Sequence, residues 1–472
     1  MQLSEKIGLI HADFRIGVDV TQAKSLQSNC DTSYQGCKLG HDDFQISPPY
    51  DSIFPNRYRD DSIIRRYIGG DQIKDGASAA LVVDLFGLGH DEVATQYPDI
   101  HQYLLTHVKP HKDEVRRASY RDRWWMFEEP RPEMRSALLG IKRYFVTVEV
   151  SKHRYFVSQP WPDVLIDGSV IAIAIADWHV FSCLHARSHG HWSIRLGGRM
   201  GAGNDPRYQN SVVFNTFPFP AFSDLPPALL ARLDTLGERL DAFRKARLAE
   251  HDFLTMTGMY NVLERLRELE DGADVPPLDE KERAIHEAGL VSVLKEIHDD
   301  IDRAVFEAYG WSDLAPALVG KPGATTPSPH KKPEQEAAEE ELLTRLVALN
   351  RERAAEEARG LVRWLRPDYQ IPKLGSKVAR PEGEQVEAEL AIVERAGAPK
   401  WPSDAFEQIR IVRDVLARAP APALPDAIAA AFDGRTSSKR KARVEQVLET
   451  LVATGAARTG QSDGATRYFV PR

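Results

Sequence analysis

Cysteine is scarce in this sequence: Cys30, Cys37 and Cys183 are the only three in 472 residues. So odd and sparse a set makes no disulfide framework, and the expectation is a reduced, cytoplasmic protein. No run of about 18 apolar residues occurs, so no membrane-spanning helix is expected. The opening stretch, MQLSEKIGLIHADF, lacks both the basic start and the long apolar core of a secretory signal. Excess positive charge is also missing. The formal net charge is -8, which on the scale of the whole chain argues against a nucleic-acid partner. A polyanion meets the local field, however, and His107 to Phe156 holds twelve Lys/Arg against seven Asp/Glu. The acidic excess lies largely after residue 225. Clean βαβ alternation is absent too, which argues against a doubly wound sheet.

What is present suits a soluble α+β protein. Hydrophobic residues make up 42% and charged residues 28%, enough for real cores. At about 150 residues per domain the length suggests about three domains. Residues 1–222 read as a mixed, β-rich region. RYFVTVEV (143–150) and RYFVS (154–158) have strand character. The stretch 164–192 reads as a strand followed by a helix carrying Phe181, Leu184 and His185. SIRLGG and SVVFNTFPFP read as further strands around a glycine-rich turn.

Residues 223–316 change to helical spacing, opening at Pro226 and Pro227, with further helices around 255–270 and 279–309. Residues 317–335 are rich in Pro, Gly, Ser and Thr and read as a flexible linker. A long charged helix and a connector fill 336–400. Residues 401–472 read as a winged-helix-like domain, with helices near 404–417, 424–432 and 437–454. A hairpin of 456–458 and 468–470 follows, with GQSDGA as its wing.

Several motifs suggest chemistry. Ser47-Pro48-Pro49-Tyr50 has the form of the loop with which amino-methyltransferases hold an extruded base. Its use would need a cofactor-binding strand, glycine loop and helix in the same domain. Residues 197–205, GGRMGAGND, are the only candidate, and no helical pattern follows them, so an extended Pro-Pro loop is the preferred reading. Cys30, Cys37 and His41 lack zinc-knuckle spacing. One helix would put His185 and His189 on the same face, near His191 and Cys183, yet no carboxylate completes a metalloprotease pattern. Neither group is assigned a metal.

Basic side chains are the better signal. In 116–135, arginines alternate with Tyr120, Trp124, Trp125 and Phe127; the tryptophans read as packed, while for the arginines contact with phosphates and guanine edges and plain solvated charge stay equally open. Lys152, His153 and Arg154 stand between two strand-like runs, where long side chains reach phosphates. Arg143 lies at the head of the first run. Around the glycine turn lie Arg195, Arg199, Asn204, Asp205, Arg207 and Tyr208; the Arg, Asn and Asp side chains match base edges, and a structural turn is an equally open reading.

These segments together resemble a known family. PRPEMRSALLGIKRYFVTVEVSKHRYF and ADWHVFSCLHARSHGHWSIRLGGRMGAGNDPRYQNSVVFNTFPFP look like the target-recognition region of class I S-adenosylmethionine-dependent DNA adenine methyltransferases. These are enzymes of the type II restriction–methylation and phage-defence kind. ADFRIGVDVTQAK, RRYIGGDQI, TGMYN and RGLVRWLRPDYQ fit the same pattern. The resemblance implies sequence-specific recognition of double-stranded DNA. In that family a catalytic domain with an Asn-Pro-Pro-Tyr/Phe motif precedes the ADFRIGVDV-like segment, which begins here at residue 12. The expectation is therefore a chain without a methyltransferase domain of Rossmann type and with no cofactor of its own. S-adenosylmethionine would sit in a catalytic methyltransferase partner. Two other functions stay open: a permuted, active methyltransferase, and an assembly subunit of a defence complex.

Overall fold

The computed structural model describes residues 9–10, 16–46, 63–200, 205–374, 400–402, 404–418, 423–433, 437–453, 456–462 and 465–470. Its strands, numbered in chain order, begin with β1 (Leu9–Ile10) and β2 (Ile16–Gly17), which pair with each other. One four-stranded sheet has the order β3 (Ser33–Gln35), β10 (Val170–Ile173), β7 (Arg143–Val148), β8 (Val157–Pro160), all antiparallel. A second has the order β4 (Gln45–Ile46), β6 (Ala80–Val83), β5 (Ile64–Ile68), β9 (Val164–Ile166), in which only β5 and β9 run parallel. Two hairpins complete the set: β11 (Arg199–Met200) with β12 (Asp205–Pro206), and β13 (Arg458–Ser462) with β14 (Ala465–Phe469). Small sheets among many helices make the chain mixed α and β. No helix of the described residues is long and apolar enough to cross a membrane.

The run RYFVTV explains why β7 is central. Every residue from Tyr144 to Val148 is buried, so both faces of the strand are covered and the apolar pattern is continuous rather than alternating. Helix Trp178–His185 packs over it, with the Phe145 and Phe181 rings 4.7 Å apart. The core continues without a break into helices Pro227–Glu250, Met256–Glu270, Glu280–Ala288 and Val291–Tyr309. A boundary at 222/223 therefore falls inside one hydrophobic core. The chain divides instead into Met1–Glu382 and Gly383–Arg472.

Buried charge ties the first unit together. Glu264 accepts hydrogen bonds from Arg267 (3.0 Å), the Gly323 and Thr325 amides (2.7 and 3.2 Å) and the Thr325 hydroxyl (3.0 Å). Burial alone would raise its carboxyl, but Arg267 and Arg187 hold it below the usual range. The Arg187 amide and guanidinium reach Asp302, and the guanidinium also donates to the Lys321 carbonyl. Arg244 donates to the Phe156 carbonyl (2.6 Å), the Tyr260 hydroxyl (2.8 Å) and His185 Nε2 (3.2 Å). A charge taken out of water is tolerated only when its donors and acceptors are matched, as they largely are here.

Four sequence expectations change. The presumed linker 317–335 is ordered: its backbone supplies partners to Glu264, Arg187 and Arg154, and a side chain at Gly190 would strike the Ala324 carbonyl at 2.6 Å. Pro, Gly, Ser and Thr serve close backbone approach there. SVVFNTFPFP is not a strand but a series of turns that plugs the core with Val213, Phe214, Phe217 and Phe219. SIRL closes helix Arg187–Leu196. Of RYFVS, only its last two residues join β8, because Tyr155 and Phe156 are drawn into the interior. The long charged helix runs Pro333–Ala358, and a short helix, Pro367–Leu374, lies in the connector.

The second unit has its own core, built on Val412, Leu416, Ile428, Phe432, Val444, Leu448 and Tyr468. Its helices Ala405–Arg418, Pro425–Ala430 and Ser438–Ala453 fall close to the expected spans. Its hairpin is longer than expected, since β13 and β14 take in most of GQSDGA.

Five buried histidines, His153, His185, His189, His191 and His298, are pushed below their ordinary value of 6.5 mainly by desolvation, His189 to about 3 and His191 to about 4. The unfolded chain binds protons on these rings below about pH 6.5 while the folded chain does not. Stability should be fully present above pH 6.5 and fall as pH drops toward 4, by about 1.4 kcal/mol per ring per pH unit. Urea denaturation at pH 7.5, 6 and 5 checks this; equal stability across the series would contradict it.

Candidate nucleic-acid interface

The loop after β7 and the hairpin β11–β12 lie side by side. Val150 bridges Arg207, the Ser151 amide donates to the Pro206 carbonyl (3.3 Å), and the Tyr208 amide donates to the Glu149 carbonyl (2.6 Å). Glycines allow this approach: a side chain at Gly197 would meet the Arg207 carbonyl at 2.0 Å, and Gly198 has φ +67°. One rim thus brings together residues about fifty positions apart in sequence.

The ten candidate DNA-binding residues separate by burial. Lys152 and Arg199 are exposed. Asp205 and Arg207 are half-buried on the same rim. Glu149 Oε1 receives Arg207 Nε (2.8 Å) and Nη2 (2.7 Å), which fixes the guanidinium plane. Lys152 Nζ donates to Asn261 Oδ1 at 2.6 Å. Arg195, at the end of the helix leading into the hairpin, pairs with Glu340 at 3.1 Å. Arg143 stands at the far end of β7, roughly 16 Å from Val148 at the rise of a strand, with its guanidinium 4.6 Å above the Trp178 ring. Asn204 lies outside the described residues, as do Ser47-Pro48-Pro49-Tyr50.

Three candidates require correction, for His153, Arg154 and Tyr208 point inward and cannot reach a groove. His153 bonds Thr325 Oγ1 (3.0 Å) and Asn261 Oδ1 (2.9 Å). Tyr208 is wholly buried, its hydroxyl 3.2 Å from His189 Nε2. Arg154 donates through Nη1 to Thr147 Oγ1 (2.8 Å) and the Val148 carbonyl (2.6 Å), and through Nη2 to the Pro206 carbonyl (3.2 Å). Its guanidinium also lies 5.0 Å from the centre of the Tyr208 ring. Burial pushes its pKa down to about 10, against partial support from Tyr208 and Tyr155. No carboxylate is among these partners. Arg154 is a clamp under the rim.

The arginine-rich segment also divides. Arg135 is buried and holds Asp84 through two bonds of 2.6 and 3.0 Å, and Arg131 reaches Glu129 and the Gly36 carbonyl. Arg116, Arg117 and Arg123 are exposed, with Arg117 stacked 4.7 Å over Tyr120. Trp124 is buried and Trp125 donates to the Leu88 carbonyl at 3.0 Å, as expected of packed rings. Sequence reading missed Arg66, which is exposed in mid-strand while its neighbour Arg65 turns in to Asp84. The alternation of a strand sends adjacent residues to opposite faces and could have found it.

The histidine cluster does not share a helix face. The chain breaks at Ala186, so His185 ends one helix and His189 belongs to the next. The Phe181 carbonyl takes the His185 Nδ1 proton, and Nε2 accepts from the Phe156 amide and Arg244, which fixes a neutral ring. Within 197–205 the described residues Arg199–Met200 and Asp205–Pro206 pair as a hairpin, and turns at 210–216 follow it. Two open clefts of about 580 and 510 Å³ are lined respectively around Tyr309 and Trp311, and around Gly40, His41, Tyr67 and Asp167.

Residues 40–221 match the family model described as "MmeI, target recognition domain". That span contains the whole rim, and the resemblance to a target-recognition region is borne out there. Among solved structures, the chain is similar to the Type IIL restriction-modification enzyme MmeI in complex with DNA, at 17% identity and a TM-score of 0.49. The similarity covers 72% of this chain and 38% of that one. No curated protein matches.

Arg154→Ala should destabilise the fold by on the order of 3 kcal/mol, since it empties a buried site and removes the donor to the Val148 and Pro206 carbonyls and the Thr147 hydroxyl. Arg199→Ala should change stability by less than about 0.5 kcal/mol. Urea midpoints of the two variants decide the point, and equal losses would contradict the placement of Arg154 beneath the rim.

Proposed function

We propose that this chain selects the DNA sequence for an adenine-N6 methyltransferase of a restriction–modification or phage-defence system. The observation that carries this reading is the target-recognition match over residues 40–221, which encloses an exposed hairpin bearing Arg and Asp side chains. Lys152, with the more distant Arg66, Arg116 and Arg123, supplies sequence-independent attraction to phosphates. Arg199, Asp205 and Arg207 have the donors and acceptors that distinguish base pairs in the major groove, each good bidentate contact being worth ~1–3 kcal/mol. Glu149 presets the Arg207 fork, so less side-chain freedom is lost on binding. S-adenosylmethionine supplies the methyl group in a catalytic domain or subunit that acts with this chain, and the residues described here orient the duplex for it. This division rests on the family resemblance, with a catalytic methyltransferase as partner.

Anisotropy titration of a labelled duplex by the full chain, repeated from 50 to 300 mM salt, tests the reading. Replacing Lys152 and Arg199 together by Ala should weaken binding and reduce the slope of log K against log salt by about 1, the share of the phosphate contact at Lys152. An unchanged slope would sink the assignment of this rim to DNA.

A further inference from the structure

The unit after residue 383 has a surface that recognition by residues 40–221 leaves unused. Its elements follow one another as helix Ala405–Arg418, a single bridge residue Ala423, helix Pro425–Ala430, helix Ser438–Ala453, then β13 and β14. Ala423 and Tyr468 exchange both backbone hydrogen bonds at 2.9 Å, so Ala423 adds a third, one-residue strand beside β14. Helix, strand, helix, helix, strand, strand is the order of a winged helix, whose third helix stands free on one side.

That helix buries Val444, Val447, Leu448 and Leu451 along one stripe. Lys439, Ala442 and Gln446 occupy the opposite, exposed face, with Arg443 beside them. Arg443 donates to Gln408 Oε1 (2.9 Å) and Gln446 Oε1 (3.2 Å), neutral oxygens that position the guanidinium without cancelling its charge. Lys439 has no partner among the described residues. Lys441 pairs with Asp426 on one flank, and Glu445 and Glu449 come only further along the helix. The basic half is thus the leading one. Among the described residues of this unit no large apolar side chain is exposed, for those of the chain all lie before residue 372. A protein-binding face would need such anchors. A polyanion needs what is present: uncompensated cations, an amide, and a small residue permitting close approach.

We infer that residues 401–472 form a winged-helix module that binds duplex DNA in its own right, placing the first two turns of helix Ser438–Ala453 against a major groove. A 16-residue helix is about 24 Å long and the groove about 12 Å wide, so the helix end enters and the remainder stays outside. The module adds a second contact, separate from the rim that selects sequence.

The test uses the full chain and a 40-base-pair duplex in 0.1 M salt, comparing the parent with Lys439→Glu/Ala442→Glu, both exposed and helix-compatible. Affinity should fall by about tenfold or more, with a shallower salt slope and an unchanged melting temperature. Lys439→Ala alone should show a smaller fall and guards against a folding defect in the double variant. Unchanged affinity in both variants overturns the inference, as does unchanged DNA affinity with loss of a protein partner. Because the rim variants of Lys152 and Arg199 are read on the same duplex, failure of either contact shows independently of the other.

Discussion

A guanidinium buried without a carboxylate sets the geometry of the recognition rim. Taking a charge out of water carries a penalty of several kcal/mol unless every donor finds an acceptor. Arg154 offsets much of it with three hydrogen bonds to Thr147, Val148 and Pro206 and with the Tyr208 ring, while its own amide donates to Thr325. Strand β7, hairpin β11–β12 and the segment around residue 325 must therefore converge on one point. The exposed Lys152 and Arg199 and the half-buried Arg207 stand on a floor that cannot shift without uncovering that charge. A surface built this way is more sharply positioned than a free loop, as the proposed reading of DNA requires.

An acidic chain keeps basic surfaces through the local distribution of its exposed charges, not through what is buried. Glu264, Asp299, Asp302 and Asp241 are buried, each beside Arg187, Arg244, Arg267 or Lys245. Among the described residues buried acids and buried bases match in number, so the interior leaves the net charge of the surface unchanged. The net charge of -8 describes the sum and not what a duplex meets. Exposed cations survive in small groups: the rim, the arginines near Tyr120, and the leading turns of the helix at Ser438.

Legibility from sequence followed how far each feature depends on local pattern. The helices after residue 226 were readable because their apolar stripes repeat every three or four residues, and β7 because RYFVTV is β-branched and aromatic throughout. The burial of His153 and Arg154 was not readable. In SKHRYF the basic side chains look alike, and only the demand for donors from distant carbonyls decides which of them turns inward. The segment 317–335 misled for a related reason, since its composition suits a linker while its backbone groups serve as partners for Glu264 and Arg187. Phe214, Phe217 and Phe219 imitate a strand because turns that plug a core use the same residues as strands that cross one.

Hydrogen–deuterium exchange of the full chain, with and without duplex DNA, reaches the central claim most directly. Amides of 153–158 should be strongly protected in both states, while those of 149–152 and 205–207 should gain protection only when DNA is present. Rapid exchange at 153–158 in the free chain, or no DNA-dependent change at 149–152 and 205–207, would contradict a rigid clamp beneath a DNA-reading rim.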